Sequence, residues 1–240
     1  MNKISILLAD DHAVVRQGLR ALLAAEPDFD VVGEAENGRE AVQMAQRLRP
    51  NVIVMDLAMP LLNGMEATRQ IVREKLPSKL IILSSYSDEE YVRELLEAGT
   101  CGYLVKQTAA SDLIKAVREV AKGKVFFSPS ISKRMLACYQ LVNRQGRPMR
   151  KFAVKLTSRQ QEILQLIAEG HANKQMADVL GISIKTVEKH RQHLMDKLNL
   201  HEIAGLTRYA MSHGLVEKKE RLASAPVNVP ELETQSMAPA

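Results

Sequence analysis

Along the first 122 residues, short apolar runs alternate with longer segments whose apolar residues recur every three or four positions. The runs are ISILLA (4–9), VVGEA (31–35), NVIVMD (51–56), KLIILS (79–84) and GYLVK (102–106). Between or after them lie HAVVRQGLRALLAAE (12–26), GREAVQMAQRLR (38–49), GMEATRQIVREKL (64–76), DEEYVRELLEAG (88–99) and SDLIKAVREVAKG (111–123). Ala41, Met44, Ala45 and Leu48 show the spacing of one helix face. Asp88 and Ser111 are expected N-caps, and Gly99 and Gly123 expected helix ends. Runs that are apolar on both faces suit strands covered on both sides. The alternation predicts an α/β doubly wound five-stranded parallel sheet, flavodoxin-like in kind, with its ligand crevice beyond the carboxyl ends of the strands.

The alternation stops near residue 124. SPSISKRMLACYQLV (128–142) predicts one helix with Ser128 as cap and Pro129 in its first turn. NRQGRPMRK (143–151) has no acid and two breakers, Gly146 and Pro148, as a solvated linker would. From about residue 155 the pattern is helical only, in short segments. The tail ASAPVNVPELETQSMAPA has little to bury and is expected to be disordered. The predicted organisation is therefore 1–123, an α/β domain; 124–154, a linker with one helix; 155–217, a small all-α domain; and 218–240, a tail.

Charge changes this picture more than bulk composition does. Residues 1–124 carry 16 basic and 18 acidic side chains, 125–150 carry 5 basic and none acidic, and 151–218 carry 10 basic and 7 acidic. Five of the 6 histidines also follow residue 170. An acidic first half and a basic second half point to a polyanion partner for the second, a solvated charged face being the alternative. No run approaches the roughly 20 apolar residues of a membrane span, and the N-terminus does not read as a signal peptide. Cys101 and Cys138 stand apart, without metal-ligand spacing, as free thiols would in a reducing compartment. No membrane partner and a cytoplasmic location are expected.

The ends of the strands hold the chemistry. Asp10 and Asp11 follow the first run, Asp56 ends the third, Ser84 the fourth and Lys106 the fifth. In a parallel sheet these ends share one edge. Three carboxylates there are costly unless a cation neutralises them, and an all-oxygen set favours a hard ion such as magnesium. A lysine and a serine hydroxyl suit phosphate oxygens. His12 reads as a helix-start residue rather than a ligand.

This constellation resembles the receiver domain of bacterial response regulators, on the pair Asp10–Asp11, the stretch DLAMPLLNG around Asp56, Ser84 after IIL, and GYLVK ending at Lys106. The resemblance implies that Asp56 accepts phosphate from a sensor histidine kinase. It implies that Asp11, Asp56 and the backbone carbonyl of Ala58 hold Mg²⁺, with Asp10 acting mainly through water. Ser84 and Lys106 would read the phosphoryl group, and Tyr103 would be the aromatic switch. Pro60 and Gly64 match the turn after the acceptor, where Gly64 is expected to supply a backbone conformation closed to other residues. Gln107 departs from the proline often found there.

In the second half, MADVLGISIKTVEKHRQHLMDKL (176–198) holds two helical patterns joined at Gly181, with Ser183 capping the second. Ile184, Val187, Leu194 and Leu198 face one side; Lys185, Glu188, Lys189 and Gln192 form a polar stripe on the other, as a major-groove helix would. The stretch LTSRQQEILQLIAEGHANKQMADVLGISIKTVEKHRQHLMDKL resembles the LuxR-type helix-turn-helix domain. The resemblance implies a four-helix unit whose fourth helix, near Ala204–His213, suits dimer contact. Lys185, Glu188, Lys189 and Gln192 become candidate base or phosphate contacts, and Thr157, Lys174 and Thr186 candidate backbone contacts. His190 is expected to be structural. Gln160 stands where the family typically has glutamate, which would weaken an internal polar contact.

The two halves together resemble the NarL/FixJ class of response regulators. The reading is a phosphorylation-dependent transcription factor that binds double-stranded DNA, dimerises when phosphorylated and is not an enzyme beyond slow self-dephosphorylation. Two alternatives stay open. One is a protein-interaction regulator without sequence-specific DNA binding. The other is a phosphotransferase with an aspartyl nucleophile, for which the sequence offers no substrate cap.

Overall fold

The computed structural model describes residues 3–84, 94–95, 98–106, 110–129, 131–132 and 156–216. Each expected run forms a strand: β1 (Ile4–Ala9), β2 (Phe29–Ala35), β3 (Val52–Asp56), β4 (Lys79–Ser84) and β5 (Gly102–Val105). A sixth, β6 (Phe126–Phe127), corrects the expectation of five. The turn at Gly123 (φ 81°) returns the chain beside β5. There Phe126 N donates to Cys101 O at 2.9 Å and Ser128 N to Tyr103 O at 3.1 Å. Two residues are too few to show alternation, so the strand left no pattern in the sequence.

The order is β2-β1-β3-β4-β5-β6, and every pairing is parallel. Side chains alternate between two apolar layers. Leu7, Ile53, Met55, Leu80 and Ile82 pack on one face with Ala41 and Ala45 of α2 (Gly38–Leu48) and Ala67 and Ile71 of α3 (Gly64–Arg73). Ile6, Leu8, Val52, Val54 and Ile81 pack on the other with Leu23 of α1 (Ala13–Ala24) and Leu113 and Val117 of α4 (Ala110–Ala121). Asn37 and Asn63 cap α2 and α3, accepting from Glu40 N and Glu66 N at 2.9 Å each. α4 begins at Ala110, so Ser111 sits in its first turn instead of capping it. Of the helix expected over 88–99, Glu94 and Leu95 are described and helical; Asp88 lies outside the described residues, as do Gln107, Cys138, most of the linker helix and the tail.

The second unit is helical throughout: α5 (Ser158–Ala168), α6 (Asn173–Leu180), α7 (Ile184–Leu198) and α8 (Ile203–Ser212). Ile163, Leu164, Leu166, Ile167, Met176, Val187, Leu194, Leu206 and Ala210 form its core. Gly181, at φ 62°, closes α6, and Ser183 caps α7 by accepting from Thr186 N at 3.1 Å. Ile184 departs from the expected apolar face: it is 45% exposed, at the free end of α7. Gln160 still completes a local cap, while Lys197 Nζ donates to its Oε1 at 3.4 Å, where a glutamate would add an ion pair. The same Gln160 Oε1 accepts from Thr157 N at 3.0 Å while Thr157 Oγ1 accepts from Gln160 N, which makes a capping box.

Gly64 is required for a reason other than the expected one. It is not at positive φ; Leu61, at φ 64°, takes the left-handed conformation in that loop. A Cβ on Gly64 would stand 2.1 Å from the Asp56 carbonyl oxygen and 3.1 Å from Leu57 Cα, both backbone atoms that cannot step aside. Gly18, in the middle of α1, has open space around it. We expect Gly64→Ala to destabilise the protein by about 1–3 kcal/mol and Gly18→Ala to stabilise it by about 0.5–1 kcal/mol. Urea denaturation of the two variants measures both; a neutral Gly64→Ala would refute the close-approach account.

Candidate functional site

β1 and β3 are neighbours, and the chain leaves them in opposite directions along the sheet, which makes their carboxyl ends the topological switch point. Asp10 and Asp11 stand just past the end of β1, and Asp56 ends β3. From the next strand but one, Lys106 reaches back over this edge. Its Nζ lies 2.8 Å from Asp56 Oδ2 and 3.0 Å from Asp10 Oδ2. Asp56 Oδ1 accepts from Leu57 N at 2.8 Å, and Asp10 Oδ1 from His12 N at 2.8 Å. Both aspartates are nearly inaccessible, whereas the Asp11 side chain is 30% exposed.

The electrostatics follow from burial. Loss of hydration raises the Asp56 pKa, the Lys106 ammonium opposes it, the Asp10 charge adds to it, and the result is about 6. Burial alone would lower the Lys106 pKa, but the Asp56 and Asp10 carboxylates outweigh it and hold it above the usual lysine value. Three carboxylates, Asp10, Asp11 and Asp56, stand around one ammonium, and the surplus negative charge favours a cation. Asp10, Asp11, His12 and Asp56 each offer one ligand atom, all within 4.8 Å of one another. Ligands on opposite sides of a magnesium ion stand about 4.2 Å apart, so the donor set fits such an ion after a contraction of a few tenths of an ångström.

Ser84 is fully buried at the end of β4, and its carbonyl accepts from Lys106 N at 2.8 Å. The Tyr103 ring is buried in the sheet core, and Ala58 is buried in the loop after Asp56. Arg16 went unnoticed in the sequence. It is buried, donates from Nη1 to Asp10 O at 2.7 Å and pairs with Glu34 and Glu36 at 3.0 and 2.7 Å. The available signal was its place on the buried stripe of α1, in line with Leu19 and Leu23, where a lone arginine needs a partner.

In the helical unit, Lys185, Glu188, Lys189 and Gln192 are all exposed on one face of α7. Gln192 Nε2 donates to Asp196 Oδ1 at 2.8 Å. Thr186 is half-buried, its hydroxyl 2.8 Å from that of Ser183, and Thr157 and Lys174 are exposed at the starts of α5 and α6. His190 is partly buried; desolvation, with Arg159, His193 and Lys189 nearby, holds its pKa below the usual histidine value. It therefore suits a neutral packing role.

The two units meet through the loop between β3 and α3. Gln165 of α5 is 1% exposed. Its Oε1 accepts from Asn63 N and Nδ2 at 2.9 and 3.0 Å, and its Nε2 donates to Met59 O at 2.8 Å. Glu169, one turn on, accepts from Leu61 N at 3.2 Å, and Leu61 packs against the helical core. Glu162 accepts from Arg39 at 2.8 Å and Gln70 at 3.1 Å, and Gln161 from Arg69 at 2.7 Å. The exposed face of α7 takes no part in this contact.

A parallel sheet bearing an acidic, lysine-bridged switch point, joined to a helix-turn-helix unit, defines a two-part regulator. The family models agree: residues 6–118 match the response regulator receiver domain and residues 154–210 the bacterial regulatory proteins of the luxR family. The chain belongs to the response regulators that join these two domains. It is 37% identical over 212 residues to the transcriptional regulatory protein DegU of Brevibacillus brevis, covering 84% of this chain and 90% of that one. With the transcriptional regulatory protein LiaR of Bacillus subtilis it is 39% identical, covering 89% and 99%. Among solved structures, a complex of the two-component response regulator RcsB with DNA resembles 88% of this chain and 99% of that one, at 28% identity and a TM-score of 0.53. Among the described residues no helix is long and apolar enough to cross a membrane.

The raised pKa of Asp56 carries a stability consequence. Between pH 3.8 and about 6 the unfolded chain has lost this proton while the folded one keeps it, so stability falls as pH rises through that window. The full cost is about 3 kcal/mol. We expect Asp56→Asn, without added metal, to raise the melting temperature at pH 7.5, with the gain shrinking toward pH 4. A lower melting temperature at pH 7.5 would mean that the Lys106 pair outweighs burial.

Proposed function

We propose that this protein is a phosphorylation-dependent transcriptional regulator, switched at Asp56 by a sensor histidine kinase. The observation that carries the reading is the Lys106 ammonium at 2.8 Å from the Asp56 carboxylate, on the chain that also bears the exposed stripe of α7. A carboxylate oxygen of Asp56 attacks phosphorus, the bond from phosphorus to the donor imidazole breaks, and an acyl phosphate forms. Lys106 neutralises charge that builds on the phosphoryl oxygens, and the Ser84 hydroxyl donates to one of them. Asp11, Asp56 and the Ala58 carbonyl would hold Mg²⁺, with Asp10 acting through water, and the ion would supply further charge neutralisation. Tyr103 follows Ser84 in the phosphorylated form. The protein is not an enzyme in the sense of turning over a separate substrate.

The loop from Leu57 to Asn63 gives the switch a route to the second domain. It starts beside the acceptor, carries the Ala58 carbonyl and ends on groups that Gln165 and Glu169 hold. A shift there removes partners from buried backbone groups, at about 1–3 kcal/mol for each one left unsatisfied. Because the stripe of α7 is exposed, this contact controls how the DNA-binding domain is placed rather than covering its reading face. Domains 1–123 and 155–217 then separate, and a homodimer through α8, where Ile203 is 59% exposed, sets two reading helices on paired half-sites of double-stranded DNA. Lys185, Glu188, Lys189 and Gln192 contact bases or phosphates, and Thr157, Lys174 and Thr186 the backbone. Such a protein works in the cytoplasm.

Asp56→Asn is expected to abolish acyl-phosphate labelling by a small phosphodonor; undiminished labelling would remove Asp56 from this role. Lys185→Ala with Lys189→Ala is expected to weaken binding to a selected DNA site by about tenfold or more in gel-shift titrations. Binding by the wild-type protein that ignores sequence would exclude the specific regulator. Gln165→Ala is expected to expand the unphosphorylated protein in solution scattering, toward the dimensions of the phosphorylated form.

A further inference from the structure

His12 stands at the N-cap of α1 with an extended backbone (φ −87°, ψ 104°). At the same position on their own helices, Asn37, Asn63, Thr157 and Ser183 turn their side chains onto a backbone N–H of the first turn. His12 makes no such bond. Its Nδ1 instead lies 2.8 Å from Asp11 Oδ1 and 3.4 Å from Asp10 Oδ1. The backbone holds it there, because His12 N donates to Asp10 Oδ1 at 2.8 Å and so ties the residue to the acid it faces. The side chain is 50% exposed, open to an ion arriving from solvent.

We propose that His12 is a third direct side-chain donor of the acidic pocket, beside Asp11 and Asp56, biasing it toward borderline divalent ions of the iron, cobalt and nickel kind over magnesium. The proposal rests on the reading of that pocket as a divalent-cation site. Two donors bound side by side to one ion at about 2.1 Å lie about 3 Å apart. The 2.8 Å between the imidazole nitrogen and the Asp11 carboxylate is of that size. The ligand atoms of Asp10, Asp11, His12 and Asp56 also form one group rather than a trio with a bystander. Oxygen donors alone suit magnesium, whereas imidazole nitrogen suits the later divalent ions, whose affinities rise along the series from manganese to copper. The carboxylates still accept magnesium, so His12 changes the preference of the pocket without closing it to that ion.

The test uses the full, unphosphorylated chain and the metals alone. Co²⁺ and Mg²⁺ are titrated calorimetrically into wild type, His12→Ala and Asp11→Asn, and proton spectra of the Co²⁺ forms are searched for strongly shifted imidazole N–H signals. We expect His12→Ala to weaken Co²⁺ binding by about tenfold or more, to change Mg²⁺ binding by less than about twofold, and to remove a shifted N–H signal seen in wild type. Equal losses for both ions would overturn the proposal, since His12 would then only orient Asp11. Unchanged Co²⁺ binding would overturn it as well. Asp11→Asn separates the two levels: if it weakens both ions, the pocket is a cation site whatever His12 does, and if it weakens neither, the reading of the pocket itself falls.

Discussion

The contact on which the rest of the structure depends is the Lys106 ammonium held between Asp56 and Asp10. It joins the ends of three strands, β1, β3 and β5, at the edge where an all-parallel sheet gathers its carboxyl termini. Without that charge, two buried carboxylates side by side would repel each other in surroundings that hydrate neither. Even with it, burial keeps the Asp56 pKa above the usual carboxylate range, at about 6, against the pull of Lys106. With Asp11 beside Asp56 and Asp10, three carboxylates share one ammonium, which leaves a local deficit of positive charge. A cluster with such a deficit attracts a cation, and a fully neutralised one would not.

The loop that follows Asp56 is tightly constrained. Leu61 takes a left-handed backbone, Gly64 lets α3 press against the Asp56 carbonyl, and Asn63 caps α3. That geometry turns the Met59 carbonyl and the Leu61 and Asn63 N–H groups outward, where Gln165 and Glu169 take them up. One short segment thus belongs to the acidic site at one end and to the domain contact at the other. Buried amides with a single available partner are either satisfied or costly, which favours two discrete arrangements over a gradual slide.

Much of this was legible in the sequence. Two adjacent acids ending an apolar run, a third acid ending another and a lysine ending a fifth converge once the sheet is known to be parallel, because the topology dictates which ends meet. The face of α7 was equally legible, since helical spacing separates Val187 and Leu194 from Lys185, Lys189 and Gln192. What was not legible depends on partners far along the chain. Arg16 satisfies Asp10 O from another element, and Gln165 finds Asn63 a hundred residues away. β6 is too short to carry a period. The requirement for Gly64 was visible, but its reason was not, because nothing local distinguishes a glycine needed for its dihedral angles from one needed for its missing Cβ.

The domain contact also narrows how a switch of this construction can act. A receiver that silenced its partner by covering the reading helix would bury Lys185 and Lys189, yet both face solvent while α5 is gripped. The constraint lies on orientation. α5 carries α8 on its other side through Leu206 and Ala210 in the shared core, so whatever holds α5 also fixes the direction of α8 and of the exposed Ile203. For two half-sites one helical turn apart, a dimer through α8 must present two copies of α7 in a single relative geometry. In the dimer proposed above, a grip on α5 alone would deny that geometry while leaving the exposed face of each α7 uncovered.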